Sequence, residues 1–214
     1  MNSTISTKTF SPLRIGITGG IGSGKSYICH QLESAGHSIF YCDDVAKHII
    51  RTHPAVKKEL TQLIGKDLYN AEGQLVKSVL AAFLCKGKNF SKQVDAIVHP
   101  RVADAFRDFC KEHSSEEGGN ATSVYIPQDK RISLQTLSTL HSSKVVFMEC
   151  ALLFEAGFYR LVDLSILVHV SGETQVKRLM KRDRITRQQA QKWIDLQLSE
   201  NEKIKRSDAY ILNE

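Results

Sequence analysis

The chain has 214 residues, 42% of them hydrophobic and 24% charged, with a formal net charge of +6. That is ordinary globular usage, enough for one sizeable core or a core with a small satellite. The longest apolar run, around Ser165–Val170, is strand-sized and far short of the ~18 residues of a membrane helix, so no membrane partner is expected. The five cysteines are scattered and form no CxxC pair, which suggests neither a disulfide framework nor a zinc site and fits a reducing cytoplasm. The basic balance suits a nucleic acid or a small polyanion.

The first ten residues, MNSTISTKTF, lack the apolar core of a secretory signal and read as a floppy tail. LRIGIT (Leu13–Thr18) reads as a strand buried on both faces. A helix is expected from the glycine loop that follows to about Ala35, with Gly36 as its stop. SIFYC (Ser38–Cys42) is the next strand and ends on Asp43 and Asp44. Between Val45 and His113 helical spacing takes over: Val94, Ile97 and Val98 fall on one stripe, then Val102, Ala105, Phe106 and Phe109. Pro100 is expected to start a new helix after a bend at His99. Residues 114–143, rich in Ser, Thr, Gly and Gln, read as a flexible polar insertion, with a weak helix over ISLQTLSTL (Ile132–Leu140) as the lesser alternative.

KVVFMEC (Lys144–Cys150), LSILVHV (Leu164–Val170) and the short AYIL (Ala209–Leu212) are three further strands. Two helices follow Val170. Ser171 caps the first, and Thr186 with Gln189 forms a capping box for the second. Their joint is dense in Lys and Arg. Strands that alternate with helices, without hairpin signals, give an α/β fold: a parallel sheet with helices on both faces. The expected organisation is a core of residues 1–44 and 144–214, with residues 171–190 as a lid. Residues 45–113 form a helical substrate-binding lobe, and 114–143 are the insertion.

Gly19-Gly20-Ile21-Gly22-Ser23-Gly24-Lys25-Ser26 matches G-x-x-x-x-G-K-[ST] between a strand and a helix, the context of a phosphate-binding P-loop. Turning backbone N–H groups inward round a phosphate requires φ angles that side chains resist and glycine allows. Gly22, Ser23, Gly24, Lys25, Ser26 and Tyr27 are therefore the expected nucleotide-binding residues. Lys25 would reach the β and γ phosphates, and the Ser26 hydroxyl would serve Mg²⁺. Kinases, GTPases and motor ATPases all use this loop. No N-K-x-D base-reading motif is present, which argues against a GTPase.

Arg178 and Arg182 are four apart and share one helix face, placed to close on a γ phosphate; a solvated basic face has the same spacing. Asp43, at a strand's carboxyl end, is placed to accept a hydroxyl proton or to position Mg²⁺, or else it caps the next helix. Glu149 ends the third strand in the same way, holding a water of the metal shell or capping a helix. His99, at the expected bend, is a minor substrate-side candidate. The residues leave open a small P-loop kinase of a nucleotide or metabolite and a nucleotide-gated RNA-binding protein. Against the latter, the cations cluster in the lid without interleaved aromatics, so no nucleic-acid partner is expected.

Seven segments in order resemble the dephospho-coenzyme A kinases. TGGIGSGKS (Thr18–Ser26) is similar to their P-loop, and YCDDVAKHI (Tyr41–Ile49) to D-A-D-x-x-A-[RH]. GQLVKSVL (Gly73–Leu80) is similar to G-x-[IL]-x-R-x-x-L, HPRV (His99–Val102) to H-P-x-[IV], and ALLFE (Ala151–Glu155) to P-L-L-F-E. SGETQVKRLMKRDRIT (Ser171–Thr186) resembles the lid motif, and Gln197, Lys203–Ala209 and Asn213 resemble the closing one. The resemblance implies a nucleotide-binding core, a helical lobe and a lid, with ATP and Mg²⁺ as cofactors. It implies transfer of the γ-phosphoryl of ATP to the ribose 3′-hydroxyl of dephospho-CoA. Asp43 would be the general base, Lys25, Arg178 and Arg182 would stabilise the transferring charge, and Ser26 and Asp43 would serve the metal. Lys77, His99 and Arg101 would lie on the substrate side. The chain departs from the pattern at Tyr27 for Thr, Tyr41 for Asp, Lys77 for Arg and Ala151 for Pro, and residues 114–143 are longer than the pattern needs.

Overall fold

The computed structural model describes residues 11–114 and 123–214; the expected N-terminal tail (1–10) and residues 115–122 of the polar insertion lie outside the described residues. Five strands, β1 (Leu13–Thr18), β2 (Ser38–Tyr41), β3 (Val145–Glu149), β4 (Leu164–His169) and β5 (Ala209–Leu212), form one parallel sheet in the order β2-β3-β1-β4-β5. β1 pairs with β3 on one side and β4 on the other. The strand order therefore reverses at β1, the kind of switch point where open α/β sheets hold their ligands. β1, β3 and β4 are short apolar runs because both of their faces are covered. Ile15, Ile17, Phe147, Met148, Ile166 and Leu167 are all essentially inaccessible.

The chain divides into two compact units. Among the described residues, one comprises 11–40 and 109–214; the other comprises 41–108. The first carries the sheet, α1 (Lys25–Ser34), α6 (Leu134–Ser138), α7 (Gly172–Asp183), α8 (Arg187–Asp195) and α9 (Glu200–Arg206). α1 stops where glycine predicts, with Gly36 at φ +89°. Ser171 caps α7, and the Thr186–Gln189 capping box opens α8.

The second unit holds α2 (Cys42–Thr52), α3 (Pro54–Ile64), α4 (Lys77–Leu84) and most of α5 (Lys88–Glu112). α5 corrects an expectation. It runs as one helix of 25 residues with Pro100 inside it, so no new helix starts after His99. Proline in a helix interior costs about 3 kcal/mol, through a lost N–H donor and a clash one turn back. Val94, Val98, Val102 and Phe106 recur at four-residue spacing across that point and all are buried. At about 1.5–3 kcal/mol for each buried side chain, keeping that stripe in register outweighs the proline. Two other expectations shift: β2 ends at Tyr41, before Cys42 opens α2, and β3 leads into turns rather than a helix.

The described part of the polar insertion has defined structure. Ile132 N donates to Tyr210 O at 3.0 Å and Tyr210 N to Lys130 O at 2.9 Å, so the segment runs along β5. Ser133 then caps α6, whose Leu137 is fully buried. Isolated apolar residues among polar ones give little periodic signal, which is why composition alone suggests a loop. Among the described residues no helix is long and apolar enough to cross a membrane.

Where β1 and β4 begin, Arg14 and Asp163 fasten the sheet. Arg14 N and Nε donate to Asp163 Oδ2 at 2.8 and 3.0 Å, and Asp163 N donates back to Arg14 O at 2.7 Å. Burial pushes the Asp163 carboxyl up, but the Arg14 hydrogen bonds and charge bring it below its ordinary value of 3.8. A lowered folded-state pKa gives stability that is complete above 3.8 and is lost as the pH falls through the lowered value. Solvent screening keeps the contribution of this half-exposed pair small. Urea melts of Asp163→Asn against wild type should therefore show a stability deficit that is level from neutral pH to about pH 5 and shrinks below 3.8. A deficit unchanged in acid would mean the pair gives no pH-linked stability.

Candidate active site

The P-loop links β1 to α1, and its glycines do what the sequence requires of them. Gly22 has φ +81°, and Gly24, the N-cap of α1, has φ +90°. Both lie in the left-handed region that side chains resist. A Cβ on Gly24 would also collide with Asn213 Nδ2. Beyond Gly24, the first N–H groups of α1 have no partner within the helix and carry its positive end. This concave set of donors suits a phosphate chain.

Backbone groups of Ile21 and Ser23 are bound by side chains from far along the chain. Gln197 Oε1 accepts from Ile21 N at 2.8 Å, and Gln175 Nε2 donates to Ile21 O at 2.6 Å. Ser23 O accepts twice, from Asn213 Nδ2 at 2.8 Å and from an Arg178 guanidinium nitrogen at 3.3 Å. Ile21 also packs on the apolar cluster of Val176, Leu179 and Ala190 between α7 and α8. One polar atom is left over. Ser23 Oγ is buried with no hydrogen-bond partner among the described residues, which marks the loop as a place where a polar ligand belongs.

Lys25 is 9% exposed, with Nζ 3.0 Å from Gly19 O. Ser26 and Tyr27 are exposed at the start of α1. Lys203, on α9, is a buried cation that the residue types alone did not single out. It is 1% exposed; burial lowers its pKa, Glu155 and Glu200 oppose that shift, and the charge of Lys25 adds to it. Burial also pushes the nearby Cys29 thiol up to about 12, so it is no nucleophile. Glu149 is buried at the end of β3.

Of the expected charge-stabilising pair, Arg178 is at the loop. Arg182 is not held there: its guanidinium is bound to the neighbouring Asp183 and largely exposed. Asp43 lies in the 41–108 unit. It is exposed in the first turn of α2 rather than at a strand end, and the N-cap of α2 is Tyr41, whose side chain does not cap the helix. Its neighbour Asp44 is paired with Lys47 Nζ at 2.9 Å. In the same unit Lys77 is exposed at the first position of α4. His99 sits mid-helix with Nε2 3.5 Å from Asp95. Arg101 bonds Glu59 of α3 and Ile97 O, tying α5 to α3. Among the described residues no three His, Cys, Asp or Glu side chains converge as a metal cage.

A dephospho-CoA kinase family model matches residues 13–127 and 113–214. The chain belongs to the dephospho-CoA kinase family. A dephospho-CoA kinase of Bacteroides fragilis is 32% identical to it over 202 residues, 94% of this chain and 85% of that protein. A crystal structure from Thermus thermophilus aligns with TM-score 0.71 and 26% identity, over 96% of this chain and 90% of that one. A Campylobacter jejuni dephospho-CoA kinase aligns with TM-score 0.60 and 23% identity, over 94% and 87% of the two chains, and shares the fold.

The family's closing residues Gln197 and Asn213 thus have a visible task here, bracing the loop, as does Gln175 of its lid motif. Gly24→Ala should weaken ATP binding by tenfold or more, from left-handed strain of about 1–2 kcal/mol and the displaced Asn213 amide. Calorimetric titration with ATP checks this, and affinity within twofold of wild type would mean the loop tolerates a side chain there.

Proposed function

We propose that this chain transfers the γ-phosphoryl group of ATP to the ribose 3′-hydroxyl of dephospho-CoA, giving CoA and ADP, the last step of coenzyme A biosynthesis. One observation carries the reading: a complete, side-chain-braced P-loop in a chain that matches the family along nearly its whole length. A cytoplasmic setting belongs to the same proposal, supported by five free cysteines.

Phosphoryl transfer needs mainly alignment and charge neutralisation. The amides of Gly22–Tyr27 would hold the β and γ phosphates, and Lys25 would swing from the Gly19 carbonyl onto their oxygens. Arg178, already at the loop, would lie against the γ phosphate. Arg182 would join it by exchanging its Asp183 partner for phosphate oxygens. Asp43, an uncaged carboxylate on a helical first turn, would accept the proton of the attacking 3′-hydroxyl as the new P–O bond forms and ADP leaves with the electrons of the old one. Lys77, His99 and Arg101 remain the proposed acceptor-side residues. For His99 and Arg101 this means exchanging present partners.

The residues fit Mg²⁺, a hard cation that takes few protein ligands and completes its shell with phosphate oxygens and water. The exposed Ser26 hydroxyl at the head of α1 is such a donor, and Ser26 and Asp43 would hold the ion. Its chemistry would be to neutralise charge on the phosphates.

ADP release measured for dephospho-CoA against nucleoside monophosphates tests the acceptor. Preference for a monophosphate would reassign the chain to another small P-loop kinase. Asp43→Asn should lower turnover by roughly 10²–10⁴ and leave ATP affinity nearly unchanged. Turnover within twofold of wild type would remove Asp43 as the base, and turnover undiminished by EDTA would remove the metal.

A further inference from the structure

A triphosphate seated on the P-loop leaves its nucleoside still to be placed. Next to the loop lies a cleft of about 570 Å³, within the range that ligand pockets occupy. It starts at Tyr27, the residue after the loop, and at Asn213, whose amide already touches Ser23 O. Ile211 and Ile132, both nearly buried, supply apolar lining, and Asp129 and Arg131 supply polar groups. Tyr27 leaves 58% of its surface open. An aromatic ring and a guanidinium beside apolar side chains suit a flat heterocycle with a polar edge.

The wall made by residues 127–134 belongs to the polar insertion, the part of the chain longer than the family pattern requires. It is anchored. Besides the two backbone bonds to Tyr210, Lys130 Nζ donates to Ser207 O at 3.0 Å and Arg131 N to Asp129 Oδ1 at 3.1 Å. A second cleft borders the loop on its Gly20 side. It is only about 280 Å³, has no aromatic lining, and carries the carboxylates Asp195 and Glu200.

We propose that residues 127–134 form the outer wall of the nucleoside pocket, with Arg131 and Tyr27 facing the purine of ATP. This rests on the reading of the chain as an ATP-dependent kinase and adds a recognition element carried by the insertion.

The test is equilibrium binding by calorimetry, with ATP and with inorganic tripolyphosphate, which has no nucleoside. Arg131→Ala should weaken ATP about tenfold, the loss expected for one lost stacking contact, and leave tripolyphosphate within about twofold. Arg131→Lys keeps the charge without the flat face and should show the same selective loss, while Gln135→Ala, outside the cleft, should bind ATP like wild type. Unchanged ATP affinity in both Arg131 variants would overturn the proposal. Equal weakening of ATP and tripolyphosphate would also overturn it, by making Arg131 a phosphate ligand. No acceptor is present, so wild-type protein that binds ATP selectively but never phosphorylates dephospho-CoA would sink the acceptor assignment and leave this pocket standing. Failure of wild type to bind ATP would sink both.

Discussion

The carbonyl of Ser23 accepts from both Asn213 and Arg178, and the rest of the nucleotide site depends on that double grip. A loop with left-handed glycines has no secondary structure to absorb its outward-facing polar groups. Left unpaired in a buried place, each would cost about 1–3 kcal/mol. Side chains do the pairing here: Gln197 and Gln175 take both backbone groups of Ile21. With the outer surface bound to the protein, the inner N–H groups are left pointing at whatever anion arrives. The site is preorganised, so little reorganisation remains at the moment of reaction.

The same contacts join the loop to elements that carry charge. α7 brings Arg178, and it stays against the loop because Ile21 lies in the apolar cluster under α7 and α8. The 41–108 unit has its own logic. Its long helix keeps one buried stripe through a proline, and Arg101 and Glu59 fasten α5 to α3. Asp43 is then presented on a regular helical turn, which fixes its backbone better than a loop would.

Local patterns made much of this legible. The strands that became β1, β3, β4 and β5, the glycine stop of α1 and the capping box of α8 each follow from a few adjacent residues. Pro100 misled because proline is a local signal, whereas the stripe that overrides it spans thirteen residues from Val94 to Phe106. The sequence reads Asp43 at a strand end because β2 and α2 meet without a turn residue between them. The braces of the P-loop lay beyond any pattern. Gln175, Gln197 and Asn213 act on residues 154, 176 and 190 positions away, and side chain to backbone bonds at such separations have no periodicity. Only their place in the family's closing motifs drew notice to Gln197 and Asn213. α6 gives only a faint signal, a weak helical alternative over ISLQTLSTL, since one buried leucine and a serine cap carry little weight in a polar stretch.

Lys203 has a consequence for the protein's tolerance of heat. Its ammonium is buried, and the cost of taking that charge out of water is only partly offset by Glu155 and Glu200, each of which outweighs the charge of Lys25. A bound polyanion would add a further counter-charge to this part of the fold. Occupancy by nucleotide is thus a source of robustness as well as a step toward catalysis.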